Sequence, residues 1–413
     1  MRRSRSAALV MSRATVAAVA LFLLLILASS GRAQHQNGGR RSSSAVPTGW
    51  ELSGVPALNY DADEGFGYGA IVELYRYAPG AQPYRFTLQP TLFLTTEGRR
   101  DLTVFFDAPS FLPGGWRVSA FAGREQQLAQ PYYGIGNATV FDEAAESGPN
   151  PYYYRFGRTR LRGTADFQHR IGGSAARILV GGGLVRTTVN LTPFDSGTTL
   201  LAADLGGRTP SPDRVNYLRA GLVWDTRDRE IGPNSGTWAE LIVQRVSKAF
   251  GATEDFTRWT ATVRQYLPLS SKVVFAQRIL AQGIEGNAPF HELSTMQSSF
   301  KQQDGLGGSG SARGLPKDRY VGKGTMLSNS ELRWRATDFS LHGRPSYLAL
   351  STFVDAGRVW ADRFDPSTSL RDLHAGYGGG VRLGYGQSFV VAVDIGHSNQ
   401  STAPVYIGLG WMF

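Results

Sequence analysis

The stretch Val405-Tyr406-Ile407-Gly408-Leu409-Gly410-Trp411-Met412-Phe413 decides the fold. In an extended chain, successive side chains point to opposite faces. Val405, Ile407, Leu409, Trp411 and Phe413 therefore share one face, and Tyr406, Gly408, Gly410 and Met412 share the other. The segment before it repeats the pattern, with Phe389, Val391, Val393 and Ile395 against Ser388, Ala392, Asp394 and Gly396. Further upstream Met326, Leu332, Trp334 and Ala336 oppose Asn329, Glu331, Arg333 and Arg335. Near residue 160, Arg158, Arg160, Arg162, Asp166 and Gln168 oppose Leu161, Gly163, Ala165 and Phe167. One face is continuously apolar; the other is polar, often charged and rich in glycine. A single strand of this kind also suits a soluble sandwich. Strands of more than a dozen residues with aromatics near their ends favour a membrane wall.

Composition agrees. Among 413 residues there are 50 Gly, 8 Trp, 17 Tyr and 22 Phe, no Cys, and 18% charged residues. Disulfide frameworks and cysteine metal sites are excluded, and 42% hydrophobic content argues against disorder. No stretch after residue 49 shows a convincing 3.6-residue period or a second apolar run of 18 residues.

Residues 1–33 read as a secretory signal peptide. Arg2, Arg3, Arg5 and Arg13 form the basic region, 14–28 the apolar region, and Gly31-Arg32-Ala33 a small-x-small cleavage site. Fifteen apolar residues fall short of the ~20 that a spanning helix needs. The segment holds five arginines and no acid, so its removal takes the formal charge from +10 to +5. A nucleic-acid partner loses its electrostatic support with it. Residues 34–48 are expected to be a flexible lead, and 49–413 one all-β unit.

Sixteen strands are expected: 54–61, 65–78, 84–97, 99–108, 115–125, 152–171, 174–192, 213–226, 236–250, 253–268, 271–285, 324–337, 345–359, 371–386, 387–397 and 403–413. The count is even, and the long connections 126–151, 193–212, 286–323 and 361–370 all follow odd-numbered strands. With a periplasmic N-terminus these lie outside the cell, the usual asymmetry of a transmembrane barrel. Lipid offers no partner to an open sheet edge, so the sheet must close. The expected fold is a 16-stranded antiparallel transmembrane β-barrel with the long 286–323 loop folded into the lumen.

That loop carries Ala312-Arg313-Gly314-Leu315. Glu331 falls on the lumen face of the next strand, and Phe353 and Asp355, within Phe353-Val354-Asp355-Ala356-Gly357, on that of the one after. A shielded arginine needs carboxylate partners, and its planar fork can accept two. Trp224-Asp225-Thr226-Arg227-Asp228 before Gly236, and Tyr132-Tyr133-Gly134-Ile135-Gly136-Asn137, complete the set of motifs.

Together these resemble the bacterial surface antigen family, the BamA–TamA-like superfamily of outer-membrane barrels. The resemblance spans about residues 50–413. It implies that Ala312, Arg313, Gly314 and Leu315 form the inward loop motif, that Glu331 and Asp355 are the acidic partners of Arg313, and that Phe353, Asp355 and Gly357 are the matching strand motif. It also implies that Trp411 and Phe413 close the chain with an aromatic insertion signal, read by the barrel-assembly machinery. Ala312 and Leu315 replace larger or aromatic residues of the family pattern. Family members that fold or secrete proteins carry POTRA modules, and the 15 residues of the lead have no room for one, so a short member without POTRA domains is expected.

The expected role is to aid insertion or translocation of outer-membrane or secreted polypeptides beside a separate periplasmic partner. The first strand (54–61) reads as short, and the last carries Gly408 and Gly410, so a weak lateral seam is expected between them, at Asn59 and Gly408. A passive pore and a lipid-modifying enzyme are the alternatives. His35, His169, His291, His342, His374 and His397 are scattered without metal-ligand spacing, and no serine motif accompanies His374 or His397. No catalytic residue, metal or cofactor is expected. The row Arg158, Arg160 and Arg162, with Arg258, Arg264, Arg333 and Arg335, reads as lumen lining. Outer-membrane lipid is the expected surroundings.

Overall fold

The computed structural model describes residues 48–413, except 82, 83, 113, 147, 196, 209, 231, 301 and 386–388. The expected signal peptide 1–33 and residues 34–47 of the expected lead lie outside the described residues.

Sixteen strands form the wall. They are β1 (Gly49–Asp61), β2 (Gly65–Tyr77), β3 (Phe86–Thr95), β4 (Arg99–Leu112), β5 (Trp116–Pro131), β6 (Arg155–Arg170), β7 (Ala176–Asn190) and β8 (Tyr217–Asp225). They continue with β9 (Gly236–Val246), β10 (Phe256–Pro268), β11 (Val273–Gly286), β12 (Gly324–Leu341), β13 (Arg344–Trp360), β14 (His374–Tyr385), β15 (Phe389–His397) and β16 (Val405–Leu409). Each pairs antiparallel with its chain neighbours, and β16 pairs back to β1, closing the barrel.

Burial separates this wall from a soluble sandwich. On β9 the outward Leu241 and Val243 are nearly half exposed, while Glu240, Ile242 and Gln244 are buried. Leu218 and Leu222 of β8 and Leu184 of β7 are likewise exposed. The buried side holds Arg219, Arg258, Arg278, Gln282, Glu331 and Asp355. Charges inside and leucines outside are what a hydrocarbon solvent requires.

The long connections gather at one end of the barrel: 132–154, 191–216, 287–323 and 361–373. The connections at the opposite end are shorter, the longest being 226–235. The 287–323 loop packs inside, where Leu306, Ala312, Leu315 and Tyr320 form an apolar cluster with Leu280 of β11, Leu327 of β12 and Val359 of β13.

Two expectations at the chain ends are corrected. β1 is not short; it begins at Gly49 and runs 13 residues, five residues ahead of the expected start at 54. The short strand is β16, five residues long. Trp411 and Phe413 do not continue its lipid face. Gly410 adopts φ +84, open only to residues that tolerate the left-handed region. There the chain turns into the lumen, and Phe413 is buried against Tyr266, Val274 and Ala276.

Candidate functional site

Arg313 reaches the wall from the loop and meets three carboxylates. Its Nε donates to Asp355 Oδ2 at 2.9 Å and its Nη2 to Asp355 Oδ1 at 3.2 Å. Its Nη1 donates to Glu331 Oε2 and to Asp394 Oδ2, each at 3.2 Å. Its backbone N–H donates to Asp355 as well, at 3.1 Å. The guanidinium lies 3.4 Å above the ring centroid of Phe353, whose negative face favours a cation. Two wall arginines complete the balance. Arg333 Nε is 3.0 Å from Glu331, and Arg382 Nη1 is 2.7 Å from Asp394. Three cations thus face three anions in a buried site, the condition under which such charges are tolerated. Burial opposes the Arg313 charge, but Asp355 foremost, then Glu331 and Asp394, hold its pKa above the ordinary arginine value.

The sequence makes this approach possible with missing side chains. Gly314 has φ +97, and a Cβ there would lie 2.6 Å from the His397 carbonyl oxygen. On the wall, a Cβ on Gly376 would lie 1.9 Å from the Arg313 carbonyl oxygen. Gly357, last residue of the strand motif, leaves room for Leu306 of the loop. Ala312 and Leu315 are both buried in the loop's apolar cluster. Their small size suits a loop pressed against strands on several sides.

The same loop reaches the seam. Ser309 Oγ donates to Asp61 Oδ2 of β1 at 2.6 Å, and the Gly314 N–H donates to Tyr406 Oη of β16 at 3.2 Å. Two register pairs join β1 to β16, Tyr60 with Ile407 and Asp61 with Tyr406. Five join β15 to β16, and thirteen join β1 to β2. Asn59 and Gly408 stand one step beyond the last seam pair in the same register.

A charged cluster holds the loop near that mouth. Lys317 pairs with Glu64 and, at 3.1 Å, with Asp304. Arg99 Nη1 is 2.8 Å from Glu64. Burial disfavours charge here, yet Lys317 and Arg99 hold Glu64 well below the usual carboxylate range. Asp63 and Asp318 go the other way. Burial, then Asp61, pushes Asp63 up to about 7. Burial, then Asp304, pushes Asp318 up to about 6.

Other residues singled out in the sequence have local partners. Arg162 bonds Glu125, Arg258 bonds Glu292, and Arg160 lies 3.6 Å from Glu292. Arg158 donates to Gln127, and Arg335 sits exposed on Asp338. Asn137 donates to the Asp372 carbonyl and accepts from the Val359 N–H, joining two outer loops. Arg227 binds Asp225 of its own motif. His374 stacks on Tyr320, and His397 faces the Thr402 carbonyl. Asp394, Tyr406, Ser309 and Lys317 belong to the site and were not singled out. For Asp394 a signal existed, since alternation puts it on the lumen face of β15.

Comparison with known proteins fits this geometry. The family model described as the Omp85 superfamily domain matches residues 95–411. BamA from Haemophilus ducreyi, solved without POTRA domains 1–3, superposes with a TM-score of 0.56 at 13% identity, over 88% of this chain and 70% of that one. CdiB from Escherichia coli superposes with a TM-score of 0.57 at 15% identity, over 89% of this chain and 64% of that one. No curated protein sequence matches.

Proposed function

The chain belongs to the Omp85 superfamily, and from that premise we propose that this outer-membrane barrel aids insertion or translocation of other outer-membrane or secreted polypeptides through its β1–β16 seam. The observation that carries the reading is the seam itself. Two register pairs close it, and from Gly49 to Asn59 the other edge of β1 has no pairing among the described residues. A free edge offers unpaired N–H and C=O groups to an incoming strand, which gains main-chain hydrogen bonds by joining the sheet. Pro56, which has no N–H to give, sits in that strand, where an edge tolerates it.

In this reading, residues 1–33 direct export and a separate periplasmic protein presents the client. The loop clamp is structural rather than catalytic, because the guanidinium of Arg313 keeps its carboxylates engaged as acceptors. A passive pore fits less well, since the loop fills the lumen with apolar contacts and buried ion pairs.

The test is a disulfide across the seam. The chain has no cysteine, so Asn59→Cys with Gly408→Cys gives one unambiguous crosslink. Locking is expected to lower the levels of client polypeptides in the outer membrane, and reduction to restore them. Unchanged client levels in the locked barrel would sink the reading. Planar-bilayer recordings address the pore: a large steady conductance, the same with and without residues 300–315, would favour it.

A further inference from the structure

The lipid-facing wall has a hollow on β6–β8. Along β6 the outward positions run Leu161, Gly163, Ala165, Phe167, and along β7 Leu184, Gly182, Val180. Register sets Gly163 beside Leu184, Ala165 beside Gly182, and Gly182 beside Leu218 of β8. Three small residues thus form a floor between large ones, since Leu184 is 67% exposed and Leu218 57%. The hollow measures about 510 Å³, and its lining includes Phe250 of the β9–β10 connection. That is the size of a ligand pocket, for which ~300–1,000 Å³ is usual. A Cβ added at Gly163 would meet nothing within 4 Å, so the space is open to the surroundings. Hydrocarbon that fills it gains dispersion contacts that a gap forfeits.

One step nearer the long-loop end, the same outward row turns basic. Arg186 follows Leu184 on β7, and its register partners are Leu161 of β6 and Arg214, in the two-residue strand Asp213–Arg214 ahead of β8. Arg124 of β5 faces Leu161 from the other side. All three arginines are exposed. Arg124 donates to Gln126 at 3.1 Å, and the side chains of Arg186 and Arg214 have no hydrogen bond or ion pair among the described residues. Neighbouring cations on this rim differ. Arg245 has Asp255 at 3.6 Å, and Lys248 has Glu254 at 3.3 Å. Cations at the edge of the hydrocarbon with no protein anion attract the anions of lipid headgroups, and a guanidinium fork fits a phosphate with two bonds. Strands about 4.8 Å apart place the backbones of Arg124 and Arg214, three strands apart, about 14 Å from each other.

We propose that this face of the barrel binds lipopolysaccharide, with an acyl chain in the hollow over Gly163 and Gly182 and the headgroup phosphates on Arg124, Arg186 and Arg214. The hollow adjoins the arginines, so chain and anion must belong to one molecule. The arginine row is wider than a single phosphate. A phospholipid such as phosphatidylglycerol brings one phosphate, whereas lipopolysaccharide carries phosphates at both ends of a sugar pair and several acyl chains beneath them. Strands β6–β8 stand across the closed sheet from the β1–β16 pairing, so the site needs nothing from the client reading.

The probe is purified lipopolysaccharide, added to the full chain folded in detergent micelles. Phosphatase-treated lipopolysaccharide and phosphatidylglycerol are the comparison lipids. Intact lipopolysaccharide is expected to stay with the barrel through size exclusion and to bind at least tenfold more tightly than either comparison lipid. Equal binding of the dephosphorylated lipid or of phosphatidylglycerol overturns the proposal, and this comparison stands even where a variant fails to fold. Arg186→Gln with Arg214→Gln is expected to weaken binding at least tenfold. Gly163→Phe, which fills the hollow from its open side, is expected to weaken it several-fold with the unfolding temperature unchanged. Arg245→Gln, on the same rim but paired with Asp255, is expected to change binding less than twofold. Unchanged binding in the double glutamine variant or in Gly163→Phe overturns the proposal, as does an equal loss in Arg245→Gln.

Discussion

Asp61 and Tyr406 face each other across the β1–β16 seam, and each side chain is fastened to the same lumen loop, Asp61 by Ser309 and Tyr406 by the N–H of Gly314. The loop therefore braces the weakest joint of the barrel from inside, adding two side-chain bonds where the backbone ladder offers two register pairs. Between strands with thirteen pairs, as β1 and β2 have, such a brace would add little. At the seam it is a large share of what holds the edge.

That share is measurable. A neutral hydrogen bond contributes about 0.5–1.5 kcal/mol net and one to a carboxylate about 1.5–3, so Ser309→Ala with Tyr406→Phe removes about 2–4.5 kcal/mol from a joint with little else. The seam disulfide of the Asn59→Cys, Gly408→Cys chain reports on how firmly the two edges are held together. Its formation is expected to slow several-fold when Ser309→Ala and Tyr406→Phe are added. An unchanged crosslinking rate would show that the loop does not brace the seam.

Arg313→Ala leaves Asp355, Glu331 and Asp394 buried with one cation fewer. Removing one partner of a fully buried pair costs about 3–5 kcal/mol. Loop 287–323 is expected to become cleavable by added protease in the assembled barrel. Arg313→Lys is expected to rescue poorly, because a point charge cannot reproduce the fork onto Asp355 or the stacking on Phe353. Equal protease resistance of Arg313→Ala and the unaltered chain would contradict the clamp.

Why some of this was legible in the sequence and some not is a matter of range. Alternation is local, so most strands, from Gly65–Tyr77 to Phe389–His397, sit where period 2 puts them. The same local rule puts Glu331, Phe353 and Asp355 on the face where Arg313 meets them. The end of β16 follows a different logic. Alternation continues to Phe413, but a pocket formed by Tyr266 and Ala276, far away in the chain, draws the segment inward at Gly410. The bond from Ser309 to Asp61 depends on closure bringing the first strand beside a late loop, and no pattern within either segment announces it.

The acidic residues around Lys317 make loop docking depend on pH, and the sign follows from their directions. Asp63 at about 7 and Asp318 at about 6 lie above the ~3.9 of a solvated aspartate, so the docked state holds protons that a released loop gives up. Their contribution is complete at low pH and is lost as pH rises through about 6 and then about 7. Glu64, held low by Lys317 and Arg99, contributes above its ordinary value of about 4.5, and that contribution is lost below it. Docking is therefore expected to be tightest near pH 5 and looser at pH 8, read as the rate of protease cleavage within 287–323. Asp63→Asn with Asp318→Asn is expected to flatten the profile between pH 5 and 8. A profile equally steep in that variant would assign the dependence to other groups.

A matched pair of glycine substitutions separates close approach from simple strand weakening. In Gly376→Ala the new Cβ would stand 1.9 Å from the Arg313 carbonyl oxygen, a backbone atom that can retreat only if the loop moves. In Gly408→Ala the Cβ meets nothing within 4 Å. Both positions lie in strands, where alanine costs nothing in backbone freedom. Overpacking a tight contact typically costs about 1–3 kcal/mol, and this one falls on the segment that carries the clamp. Gly376→Ala is thus expected to lower the unfolding temperature of the barrel and expose loop 287–323 to protease, while Gly408→Ala leaves both unchanged or slightly improved. Similar behaviour of the two variants would mean that the loop tolerates displacement from β14, and the clamp would then rest on the Arg313 side chain alone.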